Sequence, residues 1–203
     1  MIAIIDYGLG NLASIKNMLK RVDVKDMVIT NDIKTIEKAD KIILPGVGAF
    51  DKGMSYLQKH NLIPILNYKA LDEKVPFLGV CLGMQLMTQS SEEGLLGGLG
   101  WFDAVTKKFS ADTDLKVPHM GWNFVEEQKN NYRFKPTLGE NPRFYFVHSY
   151  YVEAKKEEDV FYKTFYGQYF HSGLIKDNLI GLQFHPEKSL RFGMEIFKEF
   201  SKI

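Results

Sequence analysis

Gly79-Val80-Cys81-Leu82-Gly83 holds the chain's single cysteine between two glycines. An apolar run, "PFLGV", turns there into a helix-like pattern, "LGMQLM". A nucleophile on a sharp strand-to-helix turn stands clear of the sheet, and flanking glycines let the backbone double back. The start of the following helix favours a thiolate, the attacking form of sulfur. The Leu82 backbone N–H then points toward an oxyanion formed on the attacked carbonyl. A lone cysteine is also at home as a small buried hydrophobe. A partner base decides between the two.

Five histidines are candidates: His60, His119, His148, His171 and His185. His185 lies in "GLQFHPEKS" after an apolar strand, two residues before Glu187. Pro186 biases His185 toward extended backbone, where residues i and i+2 share a face. Imidazole and carboxylate can then lie side by side as base and orienter; a plain surface pair at a strand end has the same spelling. A third string, "LPGVGAF", ends an earlier strand. Gly46 and Gly48 open torsions closed to other residues, so the Val47 N–H could turn in as a second oxyanion donor or turn out again. An ordinary strand-to-helix turn reads the same way.

These strings sit at the ends of alternating elements. "IAIID", "MVIT", "KIILP" and "PFLGV" read as buried strands. Between them "NLASIKNMLKRV", a short polar segment, "KGMSYLQKH" capped by Asp51, and "PILNYKALDE" read as helices. This alternation predicts a parallel sheet covered on both faces. From Trp101 the chain becomes rich in aromatic and β-branched residues: "WFDAVTKKF", "GWNFVEE", "RFYFVHSYYVE", "VFYKTFYG", "LIGLQFH". These predict antiparallel or mixed strands on the same sheet, with a last helix over 189–202. The fold class is α/β, one open, mixed and mostly parallel sheet flanked by helices, with extra antiparallel strands in the C-terminal half. No linker composition divides the chain, so residues 1–203 form one domain.

Bulk properties set outer bounds. With 45% hydrophobic and 25% charged residues the chain can bury a core without disulfides. A net charge of +1 gives no footprint for nucleic acid or an anionic membrane. One cysteine without zinc-ligand spacing to any histidine predicts no metal, and no cofactor is called for. "MIAIIDYG" is not a signal peptide and no stretch is long and apolar enough to span a bilayer, so a cytoplasmic, reduced protein is expected. A rival reading is a dinucleotide-binding protein. Gly8-Leu9-Gly10-Asn11-Leu12-Ala13 fits G-x-G-x-x-A, and Asp32 stands 24 residues after Gly8, near where a ribose-binding acid is expected. It leaves Cys81, His185 and Glu187 unexplained.

"PGVG", "GVCLGMQ" and "FHPEKS", in that order, resemble the class I (triad) glutamine amidotransferases over essentially the whole chain. "DYGLGNL", "KVPHMGWN" and "RFYFVHSYY" narrow the resemblance to the glutaminase subunits of imidazole glycerol phosphate synthase. The resemblance implies a triad of Cys81, His185 and Glu187 that hydrolyses L-glutamine, with an oxyanion held by the Val47 and Leu82 N–H groups. It implies glutamine contacts from Gly48, Gln85, Glu93, Ser149 and Tyr150. It implies ammonia passing to a (β/α)8-barrel synthase subunit docked on Asn11, Trp122, Tyr145 and Lys188, in histidine biosynthesis. "GGLGWFDAVTKKF" is more similar to paralogues that feed synthases modifying surface or flagellar sugars, which would use the same machinery.

Overall fold

The computed structural model describes residues 1–110, 115–128 and 133–203. The first half alternates as the apolar pattern predicts: β1 (Ile2–Ile5), α1 (Leu12–Arg21), β2 (Met27–Thr30), α2 (Ile33–Glu37), β3 (Lys41–Leu44), α3 (Phe50–Lys59), α4 (Ile63–Asn67), β4 (Phe77–Val80) and α5 (Leu82–Leu86). The helix predicted over "PILNYKALDE" passes from α4 into a π-helical turn at Tyr68–Asp72. The second half is mostly strand: β5 (Ser90–Ser91), β6 (Ala104–Lys108), β7 (His119–Phe124), β8 (Glu126–Glu127), β9 (Arg143–His148), β10 (Tyr150–Ala154), β11 (Val160–Tyr166), β12 (Gln168–Lys176) and β13 (Leu179–Leu182), closed by α6 (Leu190–Lys202).

One sheet runs β2-β1-β3-β4-β13-β12-β10-β6-β5, with β11 and β8 branching from β12. Strands β2, β1, β3, β4 and β13 are parallel, and β12, β10 and β6 continue antiparallel. Successive side chains of a strand point to opposite faces, and β1, β4 and β13 are buried throughout. On one face Ile2 and Ile4 pack with Ile15, Met18 and Leu19 of α1 and Ile196, Phe197 and Phe200 of α6. On the other, Ala3 and Ile5 pack with Phe50, Met54 and Leu57 of α3, Leu66 of α4 and Leu86 of α5. The buried large side chains of α1 stabilise its docking by about 1.5–3 kcal/mol each.

The second half corrects two sequence-based expectations. Not every strand joins the main sheet: β7 and β9 form a separate two-stranded ribbon. "RFYFVHSYYVE" is also not one strand, because the chain breaks at Ser149 and passes from the ribbon into the main sheet as β10. Asp51 does not cap α3, whose N-cap is Ala49. Its carboxylate instead accepts from the Leu95 and Leu96 N–H groups at 2.9 and 3.0 Å, tying the 94–96 turn to α3.

Register places the functional strings. Leu44 pairs with Gly79 and Leu182 with Val80, so β3, β4 and β13 finish side by side. Residues 45–48, Cys81 and residues 183–187 therefore emerge at one sheet edge, the carboxyl end where open α/β folds bind ligands.

Candidate active site

Cys81 holds φ +53° and ψ −110°, a conformation L-residues avoid. Close packing explains the flanking glycines. A Cβ on Gly83 would collide with the Leu44 carbonyl oxygen, and one on Gly79 would strike the Met87 sulfur and lie 2.9 Å from the Gly83 carbonyl carbon. The turn is thus wedged between β3 and α5. Cys81 is 6% exposed, and its sulfur opens into a cleft of about 410 Å³.

His185 comes from the far end of the sequence to this turn. Its Nδ1 lies 2.8 Å from Glu187 Oε1, a bond in which the ring donates to the carboxylate. His185 is extended, at φ −102° and ψ 92°, as Pro186 predicts. Glu187, however, is brought round by a 3-10 turn over Pro186–Lys188, not by continued strand. Burial works against a charged His185 ring. Charge and hydrogen-bond attraction from the Cys81 sulfur beside it, together with the Glu187 carboxylate, outweigh burial and carry the pKa up to about 10. Nε2 still makes no hydrogen bond of normal geometry among the described residues. Sulfur and ring are a close but poorly aligned pair at rest, as catalytic pairs without substrate often are.

The Pro45–Gly48 loop faces the same sulfur. Tyr7 is buried and donates from its hydroxyl to the Pro45 carbonyl at 2.6 Å. A Cβ on Gly46 would collide with that hydroxyl and lie 2.9 Å from the Leu82 Cβ. Gly48 sits at φ +116° with open space around it. The Leu82 N–H donates to the Gly46 carbonyl at 3.3 Å. That carbonyl belongs to the same peptide group as the Val47 N–H, and the peptide is trans. In a trans peptide C=O and N–H point in opposite directions. In this conformation the Leu82 N–H is occupied and the Val47 N–H is turned away from it.

The remaining predicted glutamine contacts converge on the cleft, which Gly48, Gln85, Glu93, Ser149 and Tyr150 line together with Cys81. Glu93 accepts from the Phe50 N–H at 2.8 Å, held at the start of α3. Gln85 is buried. Its Nε2 donates to the Tyr150 carbonyl and to Gln183 Oε1, both at 3.1 Å, so only its carbonyl oxygen is left to offer. Gln183 escapes sequence reasoning although it lies in "GLQFHPEKS". It is fully buried and donates to the Cys81 sulfur at 3.8 Å. The one available signal was position: a polar residue in an otherwise apolar strand end, two before the histidine.

The four residues assigned to a partner face lie on the outer side. Trp122 is 45% exposed and meets Tyr145 edge-on at 6.3 Å, and Lys188 Nζ stands 5.4 Å from the Tyr145 ring centre. Tyr145 accepts the His185 N–H at 2.9 Å through its own carbonyl. Asn11 is exposed and accepts from the Ser14 N–H at 3.3 Å, capping α1.

The residues that suggested a dinucleotide have structural roles of their own. A Cβ on Gly8 would come within 3.3 Å of Tyr56 and one on Gly10 within 3.2 Å of Pro45, so both glycines serve close packing inside the fold. Asp32 is engaged in capping α2, accepting from the Thr35 N–H and hydroxyl at 2.9 and 2.6 Å.

A family model described as glutamine amidotransferase class-I matches residues 3–203, and the chain belongs to that family. It is 53% identical to the imidazole glycerol phosphate synthase subunit HisH 2 of Methanococcus maripaludis, covering 100% of this chain and 99% of the relative. It is 47% identical to the protein of the same description from Pseudomonas aeruginosa, with 100% of both covered. Identity to subunit HisH of Leptospira interrogans is 40%, again with 100% of both covered. Among solved structures, PurLQS from Thermotoga maritima superposes with a TM-score of 0.73 at 18% identity, over 98% of this chain and 96% of that one. The glutaminase domain of Trypanosoma brucei CTPS does so at 0.67 and 16%, over 99% and 93%. At such identities these two speak for the fold.

Proposed function

We propose that this chain is a glutaminase subunit that releases ammonia from L-glutamine and passes it to a (β/α)8-barrel synthase subunit, the pair forming imidazole glycerol phosphate and AICAR in histidine biosynthesis. The observation that carries the reading is a strained Cys81 that lines the cleft and stands beside a buried, Glu187-backed imidazole. Full-length identity of 40–53% to HisH subunits supports the particular synthase.

In this reading Cys81 Sγ attacks the side-chain amide carbon of glutamine. The C=O π bond breaks and its electron pair becomes an oxyanion. His185 gives its Nε2 proton to the amide nitrogen, which is otherwise a poor leaving group. Ammonia departs and a γ-glutamyl thioester remains. His185, now neutral, takes a proton from water, whose oxygen displaces the sulfur and yields glutamate. Splitting the hydrolysis this way exchanges one difficult step for two easier ones. Glu93 would hold the α-ammonium, and the backbone of Ser149 and Tyr150 the α-carboxylate. Gln85 would contribute its carbonyl oxygen.

The oxyanion needs donors, and here the Leu82 N–H is occupied by the Gly46 carbonyl. Rotating the Gly46–Val47 peptide by about half a turn would release Leu82 and bring in the Val47 N–H. Gly46, on one side of that peptide, can absorb its share of the torsion without a side-chain clash. The synthase would dock on the Trp122, Tyr145 and Lys188 face, which is joined to the triad through the bond from the His185 N–H to the Tyr145 carbonyl.

The sugar-modifying alternative rests on residues 97–109. Trp101 of that segment is buried edge-on against Phe77 at 4.7 Å, with its indole N–H donating to Asn67 at 2.8 Å. Its aromatic character serves the core, and no further observation favours that alternative. The deciding experiment is rescue of a histidine auxotroph lacking the glutaminase subunit, paired with a glutaminase assay in the presence of the synthase. Rescue by the wild-type chain and not by Cys81→Ala is expected. An active glutaminase that fails to rescue would move the chain to another synthase, and no activity with the partner present would end the reading.

A further inference from the structure

His119 and His148 lie within two of the strings that carry the family resemblance, yet the chemistry above gives them no part. Both are buried, at 3% and 6% exposure. Their hydrogen bonds fix which nitrogen carries each proton. His148 Nδ1 is 2.7 Å from the Tyr150 carbonyl oxygen. A carbonyl only accepts, so Nδ1 is the donor. A neutral imidazole has one N–H, so His148 Nε2 is an acceptor, and it receives His119 Nδ1 at 2.9 Å. By the same argument His119 Nε2 accepts, and Asn123 Nδ2 donates to it at 3.2 Å. The second Asn123 amide proton goes to the Phe165 carbonyl at 2.9 Å. Burial lowers His119 to about 4. Burial, assisted by the neighbouring histidines and opposed by the Tyr150 bond, lowers His148 to about 3. Both rings are therefore neutral in the working range, as the chain of bonds requires.

The two ends of the chain are in different places. At one end the Tyr150 carbonyl receives His148 and also Gln85 Nε2, so both of its lone pairs are engaged. His148, Ser149 and Tyr150 form one wall of the cleft. At the other end Asn123 stands on β7, whose alternate residues Met120, Trp122 and Phe124 are 62, 45 and 54% exposed. In the ribbon His119 pairs with His148 and Trp122 with Tyr145, so one strand pair has the histidines on its inner face and the exposed aromatics on its outer face.

We infer that Asn123, His119 and His148 form a directed positioning chain that fixes the Ser149–Tyr150 wall of the cleft from the strand bearing the exposed aromatic face. The inference rests on the reading that this wall receives the glutamine α-carboxylate. None of the three residues touches the reacting atoms.

Two measurements test it. Long-range 1H–15N spectra of the histidine-labelled full chain should show both rings as Nδ1–H tautomers; an Nε2–H tautomer on His148 overturns the chain without any mutation. The second uses Asn123→Asp, which nearly preserves shape but can only accept. It demands a proton on His119 Nε2 and so withdraws the one donated to His148. In the complex with the synthase subunit, KM for glutamine should rise about tenfold, the equivalent of one neutral hydrogen bond. kcat at saturation and the rate of Cys81 alkylation by iodoacetamide should stay within about twofold of wild type, which a general loosening of the site would not allow. An unchanged KM in an active complex overturns this inference alone. A wild-type complex inert to glutamine overturns the cleft reading beneath it.

Discussion

Cys81 at φ +53° stores backbone strain of order 1–3 kcal/mol, which the packing of Gly79 and Gly83 sustains. The strain holds the sulfur over the cleft, and Glu187 keeps His185 oriented toward it. Glu187→Gln keeps an acceptor for Nδ1 but removes the negative charge. We expect stimulated glutaminase kcat to fall about 10²–10⁴-fold with KM little changed. The alkaline limb of the pH profile should also move below its wild-type position near 10, since the carboxylate helps to hold that proton. A limb that stays in place would remove Glu187 from the proposed triad. These residue types were legible because their chemistry restricts the choice: one thiol, and a histidine with an acid two residues on. Gln183 was not, because its bond to sulfur spans 102 positions.

At the scale of elements, two glycines are required for different reasons. Gly83 is a packing glycine: an added Cβ meets the Leu44 carbonyl, so Gly83→Ala should cost several kcal/mol and lower Tm or prevent folding. Gly48 has open space but holds φ +116°, a conformation an L-residue rarely adopts, so Gly48→Ala should cost about 1–3 kcal/mol, lower Tm by several degrees and disturb the loop that carries the Val47 N–H. Partner-stimulated kcat should fall about tenfold or more while partner-free activity changes little. Equal effects on both rates would argue that the loop does not switch. Elements of the first half could be read because strand and helix periods were distinct. The ribbon of β7 and β9 could not, because Ser149 breaks an unpunctuated aromatic run where tertiary pairing, not a turn residue, requires it.

For the whole molecule, the exposed ring of Trp122 belongs to a face, and faces are tested by binding. Trp122→Ala should weaken association with the synthase about 10–100-fold by calorimetry while leaving Tm unchanged, because the side chain adds little to the core. Global stability should peak near pH 6.5. Below that value the unfolded chain binds protons at His119 and His148 that the native state refuses, so stability falls by about 1.4 kcal/mol per pH unit for each ring until about 4 and 3. His185 has the opposite sign. Its stabilisation is complete below about 6.5, its unfolded value, and is lost as pH rises toward about 10. Urea midpoints at about pH 4.5, 6.5 and 9 should show the maximum in the middle; a flat series would contradict it. Among the described residues no helix is long and apolar enough to cross a membrane.

Residue order alone determined the α/β alternation, the glycine-bracketed thiol and the imidazole–carboxylate pair, because each is a local demand of backbone sterics or proton chemistry. Only the tertiary structure decided that 45–48, 81 and 183–187 share one sheet edge, that Leu82 is bonded to Gly46, and that two buried histidines point their protons the same way. Those depend on strand register and on which polar groups burial leaves facing one another, and neither is written in neighbouring residues.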